Sequence, residues 1–480
     1  MRITIPIALK KIIARRKMIV CAAGLSGLVL FSCANYYQQH LDFNKEFESG
    51  DLKQALETLK KNNAQEQGKN RFIYYVNQGL LLSILGKYEE SNGYFEKAFL
   101  FGEDYRVNYI NEAASYLTNP NFAVYRGEDH EHLLLLYFKA INFLKMNKPE
   151  DALVECRRLN IRLNQLSDKY HSEKKLQRDA FIHTLMGIIY QSTQDYNNAF
   201  IAYRNAVEVY EQEYAELLSM QVPGQLKRDL LNTASWTGFQ EEFEMYREKF
   251  SMQDYTPEKP VAELVFFWHN GLAPVKDEWS VNFVINHDKD NVVVFNNESL
   301  GISFPYTLSD DKEKSDLKNL EVFRVAFPRY TERPVYFHAA DLVVDSVRYP
   351  LEIAEDVSKV AFYSLKQRMF QEFSKGLLRA ALKKATEHSV RKEDDRLGAV
   401  IGIVNAITEK ADTRNWQTLP HSIHYTRVPL NEGTNAVKFV LSARDRNDTA
   451  YNFTYQAVKG QTLFHTFSSL ETLPATYRYY

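Results

Sequence analysis

The sequence predicts an α+β chain in which an N-terminal array of helix hairpins is followed by a β-rich, sandwich-like half containing one long helix. Three observations carry that reading. Across residues 40–255, small and aromatic residues recur at helical spacing around the turn positions Gly50, Gly86, Asn147 and Gln194. From residue 256 the period changes to short apolar runs typical of strands. Within the second half, residues 351–388 return to spacings of three and four, with Ile353, Val357, Val360, Leu365, Met369, Phe373, Leu377 and Ala381 on one side.

The chain opens on a basic stretch, Arg2, Lys10, Lys11, Arg15, Arg16 and Lys17, followed by the uncharged residues 18–31. That run falls short of the roughly 20 apolar residues a spanning helix needs and has the layout of a secretory signal. Leu30, Phe31, Ser32 and Cys33 resemble the bacterial lipobox. The resemblance implies that residues 1–32 are removed, that Cys33 carries lipid (palmitate among the acyl chains), and that residues 33–39 link the anchor to the first helix. A plain signal peptide or an N-terminal anchor is the alternative. Ala34 stands where Asp would mark inner-membrane retention in many Gram-negative bacteria. By analogy the anchor belongs in the outer membrane, on its periplasmic side.

The 480 residues allow two or three domains and carry 59 basic against 61 acidic side chains. Residues 1–32 hold six of the basic groups and no acidic one, so 53 against 61 remain, a net charge of −8. No basic stripe survives, which argues against a nucleic-acid partner. Of three cysteines, Cys21 leaves with the signal and Cys33 takes lipid, so Cys156 alone remains, as a small core residue with no disulfide partner.

The clearest hairpin spans residues 75–98, with Tyr75, Gly79, Leu82, Leu85, Gly86, Tyr88, Phe95 and Ala98 at repeat positions. Gly79 and Ala98 let two antiparallel helices approach, while Tyr88 and Phe95 fill the space between neighbouring hairpins. A second unit carries Gly187, Tyr190, Tyr196, Ala199, Tyr203 and Ala206, a third Ala140, Asn147, Ala152, Cys156 and Leu159, and an opening unit Gly50, Leu52, Ala55 and Leu59. These resemble tetratricopeptide repeats, which implies stacked helix pairs whose concave face binds peptides or protein segments. Residues 227–250 are expected to cap the array.

Residues 104–132 interrupt the repeats with a polar and aromatic insert, and Tyr125, Arg126, Glu128 and Asp129 are the candidate partner-binding residues within it. Glu128, Asp129, His130, Glu131 and His132 lack the spacing at which a helix converges ligands on a metal, and suit a helix start instead. No metal and no cofactor are expected.

In the second half, strands are expected at residues 262–268, 279–285, 291–295, 320–327, 335–340 and 342–347, in a first β-rich part covering residues 256–350. The long helix and an apolar core helix at 397–407 fill residues 351–410. Residues 411–480 then alternate as strands 423–428, 436–441, 451–457 and 462–467, a small antiparallel meander that either stands apart or completes the earlier sheet. His421 and His424 lie at odd separation, so their side chains diverge.

Residues 411–420, ADTRNWQTLP, together with 271–276 (GLAPVK), 326–330 (AFPRY) and 125–129 (YRGED), carry a further resemblance. The chain resembles an uncharacterised family of bacterial lipoproteins with tetratricopeptide repeats and an ADTRxWQTLP-type C-terminal motif, over nearly the whole mature length. The resemblance implies no activity. Some members are encoded beside lipoprotein activators of penicillin-binding proteins, which hints at cell-wall or envelope biogenesis. Physically, Asp412 and Arg414 suit a buried ion pair beside an aromatic anchor, Trp416.

No motif imposes catalytic geometry on the chain, so it is not expected to be an enzyme. The expected role is a protein-protein interaction scaffold of the cell envelope, held to the membrane through Cys33 and binding an envelope protein. The alternative is a glycan- or nutrient-binding lipoprotein of the SusD-like kind, with glycan or peptidoglycan as ligand and Tyr125, Trp268 and Trp279 as its exposed rings.

Overall fold

The computed structural model describes residues 35–62, 64–106, 124–169, 178–287, 292–309, 322–368, 411–444 and 447–473, with Glu313, Leu317, Leu377, Ala381 and Leu382. Cys33 and the signal, residues 107–123 of the insert, most of the long helix beyond Arg368, and the apolar stretch 397–407 lie outside the described residues.

After a short α1 (Tyr36–Gln39), four hairpins follow: α2 (Leu41–Glu48) with α3 (Leu52–Lys61), then, past α4 (Ala64–Gln67), α5 (Arg71–Ile84) with α6 (Tyr88–Arg106). Next come α7 (Asp129–Lys145) with α8 (Pro149–Lys169), and α9 (Ala180–Ser192) with α10 (Tyr196–Val209). The four turn residues share one conformation, with φ of 81° at Gly50, 78° at Gly86, 56° at Asn147 and 63° at Gln194. Each ends its helix with the same pair of bonds: Lys87 N–H reaches the Leu82 carbonyl at 2.8 Å and Gly86 N–H the Ser83 carbonyl at 3.0 Å. Lys148 to Phe143 and Asp195 to Tyr190 repeat the longer bond. The next helix starts at once, because the Asp51 and Asp195 carboxylates accept the Gln54 and Asn198 N–H groups.

Small residues sit where each pair crosses. A Cβ on Gly79 would come within 2.6 Å of the Phe95 ring, and one on Gly187 closer still to the Tyr203 ring. The last hairpin, α11 (Gly224–Thr237) and α12 (Gln240–Lys249), follows a π-helical turn at Tyr210–Tyr214.

Among the described residues twelve strands follow, in three four-stranded sheets ordered β12-β1-β9-β8, β11-β10-β6-β7 and β4-β3-β2-β5. β1 (Ala262–Asn270) is buried along its whole length. Its Leu264, Phe266 and Trp268 meet Phe439, Leu342 and Leu441 of the second sheet, while Val265 and Phe267 join the core of the helix array. The first sheet is thus the middle of three layers. The third sheet, β2 (Val275–His287), β3 (Val292–Asn297), β4 (Ile302–Thr307) and β5 (Val322–Thr331), has its own core of Phe283, Phe295 and Phe323, joined by Leu377 and Ala381.

Several expectations are corrected. The C-terminal strands are not a meander: β9 (Ser422–Leu430) lies in the first sheet and β10 (Gly433–Ala443) in the second. β11 (Thr449–Ala457) follows in the second sheet, and β12 (Thr462–Ser469) returns to run parallel to β1. They complete the sheets begun before the long helix. Residues 335–347 hold one strand, β6 (Phe337–Val344), and a turn at Asp345 and Ser346, both with positive φ, that leads into β7 (Val347–Pro350). Residues 352–355 are strand β8 (Glu352–Glu355), and helix α13 (Val357–Arg368) starts only after Asp356, whose carboxylate accepts the Lys359 N–H at 2.9 Å. β4 was not anticipated. Among the described residues no helix is long and apolar enough to cross a membrane.

Candidate functional site

The inner faces of α1, α2, α5 and α7 converge on residues 411–419, an extended stretch between the helix array and the start of β9. Tyr36 N–H donates to Thr413 Oγ1 at 3.0 Å, Asn44 Nδ2 to Gln417 Oε1 at 3.2 Å, and Thr418 Oγ1 to Asn77 Oδ1 at 2.7 Å. Trp416 is fully buried, with ring centroids about it at 6.1 Å for Phe95 and 6.0 Å for Phe138. Its indole N–H donates to Thr418 Oγ1 at 2.9 Å and its backbone N–H to Glu131 Oε1 at 2.6 Å. From the opposite side Asn415 donates to the Pro274 carbonyl at 2.9 Å, and Arg333 binds the carbonyls of Ala273 and Gln417. The arrangement is that of a peptide held in a helical groove, except that the peptide belongs to the same chain.

Glu131 is the hub. Its Oε2 accepts from the Tyr125 hydroxyl at 2.8 Å and the Glu128 N–H at 2.9 Å. Burial, with the Glu128 carboxylate as the second cause, pushes its carboxyl up to about 7. Glu128 pairs in turn with buried Lys276 from β2. Asp412 and Arg414 form a two-point ion pair at 2.6 and 2.8 Å, with the guanidinium 5.2 Å from the Tyr125 ring centroid. The ion pair thus lies against Tyr125, two residues along the chain from the buried Trp416.

The insert needs correcting. Tyr125 is 5 % exposed and Glu128 6 %, the one against Arg414 and the other against Lys276, so neither offers a surface to an outside partner. Arg126 and Asp129 are half-buried. The Arg126 carbonyl lies 2.7 Å from His132 Nε2, whose ring burial drops to about 3, so the neutral imidazole donates there. The structure thus unites residues that the sequence separated, Tyr125 and Glu128 with Asp412, Arg414 and Trp416. His421 stands 3.4 Å from Glu332, and His424 Nε2 lies 3.0 Å from Ser422 Oγ, so the two imidazoles engage different partners. Among the described residues no group of three or more His, Cys, Asp or Glu is placed to hold a metal ion.

Of the repeat residues, Gly79 and Gly187 face Phe95 and Tyr203, and Ala98 and Ala199 are fully buried. Tyr88 is half-buried beneath the Lys145 ammonium of the next hairpin, 5.7 Å from its ring centroid.

The far end of the same inner face is closed by strands. Arg427 of β9 binds Glu263 at 2.6 Å, Asp229 at 3.2 Å and the Tyr203 hydroxyl at 3.0 Å, all buried. Tyr137 meets His269 at 2.8 Å, and the π-turn delivers Tyr210 to the Ala354 carbonyl at 2.6 Å and Tyr214 to Glu355 at 3.1 Å. Sequence reasoning missed Asn44, Asn77, Tyr137 and Arg427, and read Glu131 only as an acid of a helix start. Their signal was faint: polar groups at inward positions of otherwise apolar helices and a strand.

No family model matches the chain, and no curated protein matches it. Among solved structures the chain is similar to the apo form of RapI, at 14% identity and a TM-score of 0.34 over 46% of this chain and 54% of that one. It is also similar to BtubC from P. vanneervenii, at 15% identity and 0.32 over 51% and 89%. A third is MamA, residues 41 to the end, from Desulfovibrio magneticus RS-1, at 16% identity and 0.28 over 46% and 94%. The chain spans about half the length of RapI. Likeness at these scores carries no argument, and the hairpin architecture rests on its own geometry.

Proposed function

We propose that the protein is a tetratricopeptide-like interaction scaffold of the bacterial envelope, lipid-anchored at Cys33 on the periplasmic side of the outer membrane, which holds an envelope protein during cell-wall or envelope biogenesis. The observation that supports a scaffold is the series of four hairpins that share one turn conformation. The inner face is filled by residues 411–419 and the first sheet. Partner contact therefore shifts to the outer helices, where Leu100 of α6 is 51 % exposed and Ile161 of α8 57 %, with Val154 and Ile201 also exposed. Catalysis has no part in this reading, since the carboxylates around Trp416 are each engaged in structural bonds. The glycan-binding alternative loses its rings: Tyr125 and Trp268 are buried, and Trp279 packs against the third core.

Photoreactive residues at Leu100 and Ile161, with Val347 on β7 as the control, test the reading in cells. A discrete protein adduct from both helix positions and none from the control is the expected result. Glycan adducts alone, or no adduct above the control, would sink it. Anchoring is tested separately by fatty-acid labelling, which Cys33→Ala should abolish.

A further inference from the structure

A sheet edge is a row of unpaired backbone donors and acceptors, and proteins ordinarily blunt it with proline, charge or brevity. Four of the edges formed by the described strands follow that rule. β4 carries Pro305, and β5 carries Arg324, Pro328 and Arg329. β7 and β8 have four residues each, with Arg348 and Pro350 in one and Glu352 and Glu355 in the other. β11 and β12 break it. The nine residues of β11, TAYNFTYQA, and the eight of β12, TLFHTFSS, contain no Lys, Arg, Asp, Glu or Pro. Among the described residues β11 pairs with β10 alone and β12 with β1 alone. The two are stacked, with the Tyr451 and Phe467 ring centroids 4.7 Å apart and those of Phe453 and His465 4.6 Å apart. Two undefended edges thus lie together on one side of the sandwich.

The order of residues in β11 indicates what fits there. Outward from Phe453, Asn452 is matched by Thr454, Tyr451 by Tyr455, Ala450 by Gln456 and Thr449 by Ala457. The central five residues, Tyr451 to Tyr455, read aromatic, polar, aromatic, polar, aromatic in both directions, and such a segment is complementary to an antiparallel copy of itself. A two-fold axis through Phe453 sets Tyr451 opposite Tyr455 on the inner face and Asn452 opposite Thr454 on the outer face, with no like charges opposed. The Tyr455 hydroxyl is buried with no hydrogen-bond partner among the described residues, and such pairing brings a second tyrosine beside it. We propose that β11 is a homodimerisation edge, at which a second copy of this chain pairs antiparallel about Phe453 and extends the second sheet across the two-fold axis.

The test uses the full-length chain in mild detergent. Sedimentation velocity is expected to give a dimer. Asn452→Lys/Thr454→Lys opposes two pairs of like charges at exposed positions and should weaken association at least tenfold. Asn452→Lys/Thr454→Glu sets opposite charges across the same axis and should restore the dimer, which a folding defect would not do. Mixing Asn452→Cys with Thr454→Cys chains should give an intermolecular disulfide, since directly opposed residues have Cα atoms about 4.5–5.5 Å apart. Each variant alone should not, and Cys156 is buried. A monomeric wild-type chain, a dimer indifferent to the lysine pair, or trapping of the Asn452→Cys thiol by a segment of its own chain would each overturn the proposal.

Discussion

The seam between the helix array and the first sheet is held differently at its two ends. Around residues 411–419 the backbone is irregular, and side chains hold it: Trp416 between Phe95 and Phe138, Thr418 on Asn77, Gln417 on Asn44. At the other end β9 is paired with β1 from Ser422 to Leu430, and its Tyr425 and Arg427 reach into the helices. A segment held through side chains can open without breaking a ladder, whereas a central strand cannot. One continuous interface should therefore contain two local stabilities.

Arg427→Ala strikes the strand-held end and has the largest expected effect. It leaves Asp229 and Glu263 buried without their cation, a loss of about 3–5 kcal/mol, and the whole urea transition should move to lower denaturant. Trp416→Ala removes about 3 kcal/mol at the other end, and its signature should be local. Protease cleavage should appear within residues 411–419 while β9 amides stay protected from exchange. Loss of protection in β9 as well would make the seam one cooperative unit and end the distinction.

The pH dependence sharpens the contrast further. A carboxyl whose folded pKa is raised holds its proton more tightly in the folded chain. The Glu131 contribution is thus complete below the ordinary carboxylate range and is lost as pH rises to about 7. Wild-type chain should lose more stability than Glu131→Gln between pH 5 and 8, as read from urea midpoints at each pH. An equal slope in both would show that Glu131 does not titrate in this window. The smallest effect has the opposite sign. Gln194→Gly relieves a left-handed φ of 63°, stabilises the fourth hairpin by about 0.5 kcal/mol, and should leave the protease pattern of residues 411–419 unchanged.

The hairpins were legible because their signals are local: a small residue, a turn, and an aromatic knob within about twenty positions. Most strand positions were legible for the same reason, β4 and β8 excepted. Their partition into sheets was not, since β1 takes its neighbours from residues far downstream, and pairing leaves no local mark. Tyr125 misled because an aromatic in a polar loop looks the same whether it faces solvent or another layer of its own chain. Residues 352–355 misled because Ile353 falls in step with Val357 and Val360. Asp356, an N-cap residue type at the true helix start, was the signal to weigh.

The central position of β1 also bears on how the molecule comes into being. Glu263 pairs with Thr462 across 199 positions of sequence, so the middle strand of the three layers is made long before its neighbour. At about 5–20 residues per second the wait during synthesis is on the order of ten to forty seconds. Until residue 416 is made, the helix hairpins can assemble from their local contacts, yet Phe95 and Phe138 lack the Trp416 ring that packs against both in the finished protein. The nascent chain thus passes through a stage with an open, aromatic groove, and binding proteins that attend newly made chains would meet the array in the form the finished protein conceals.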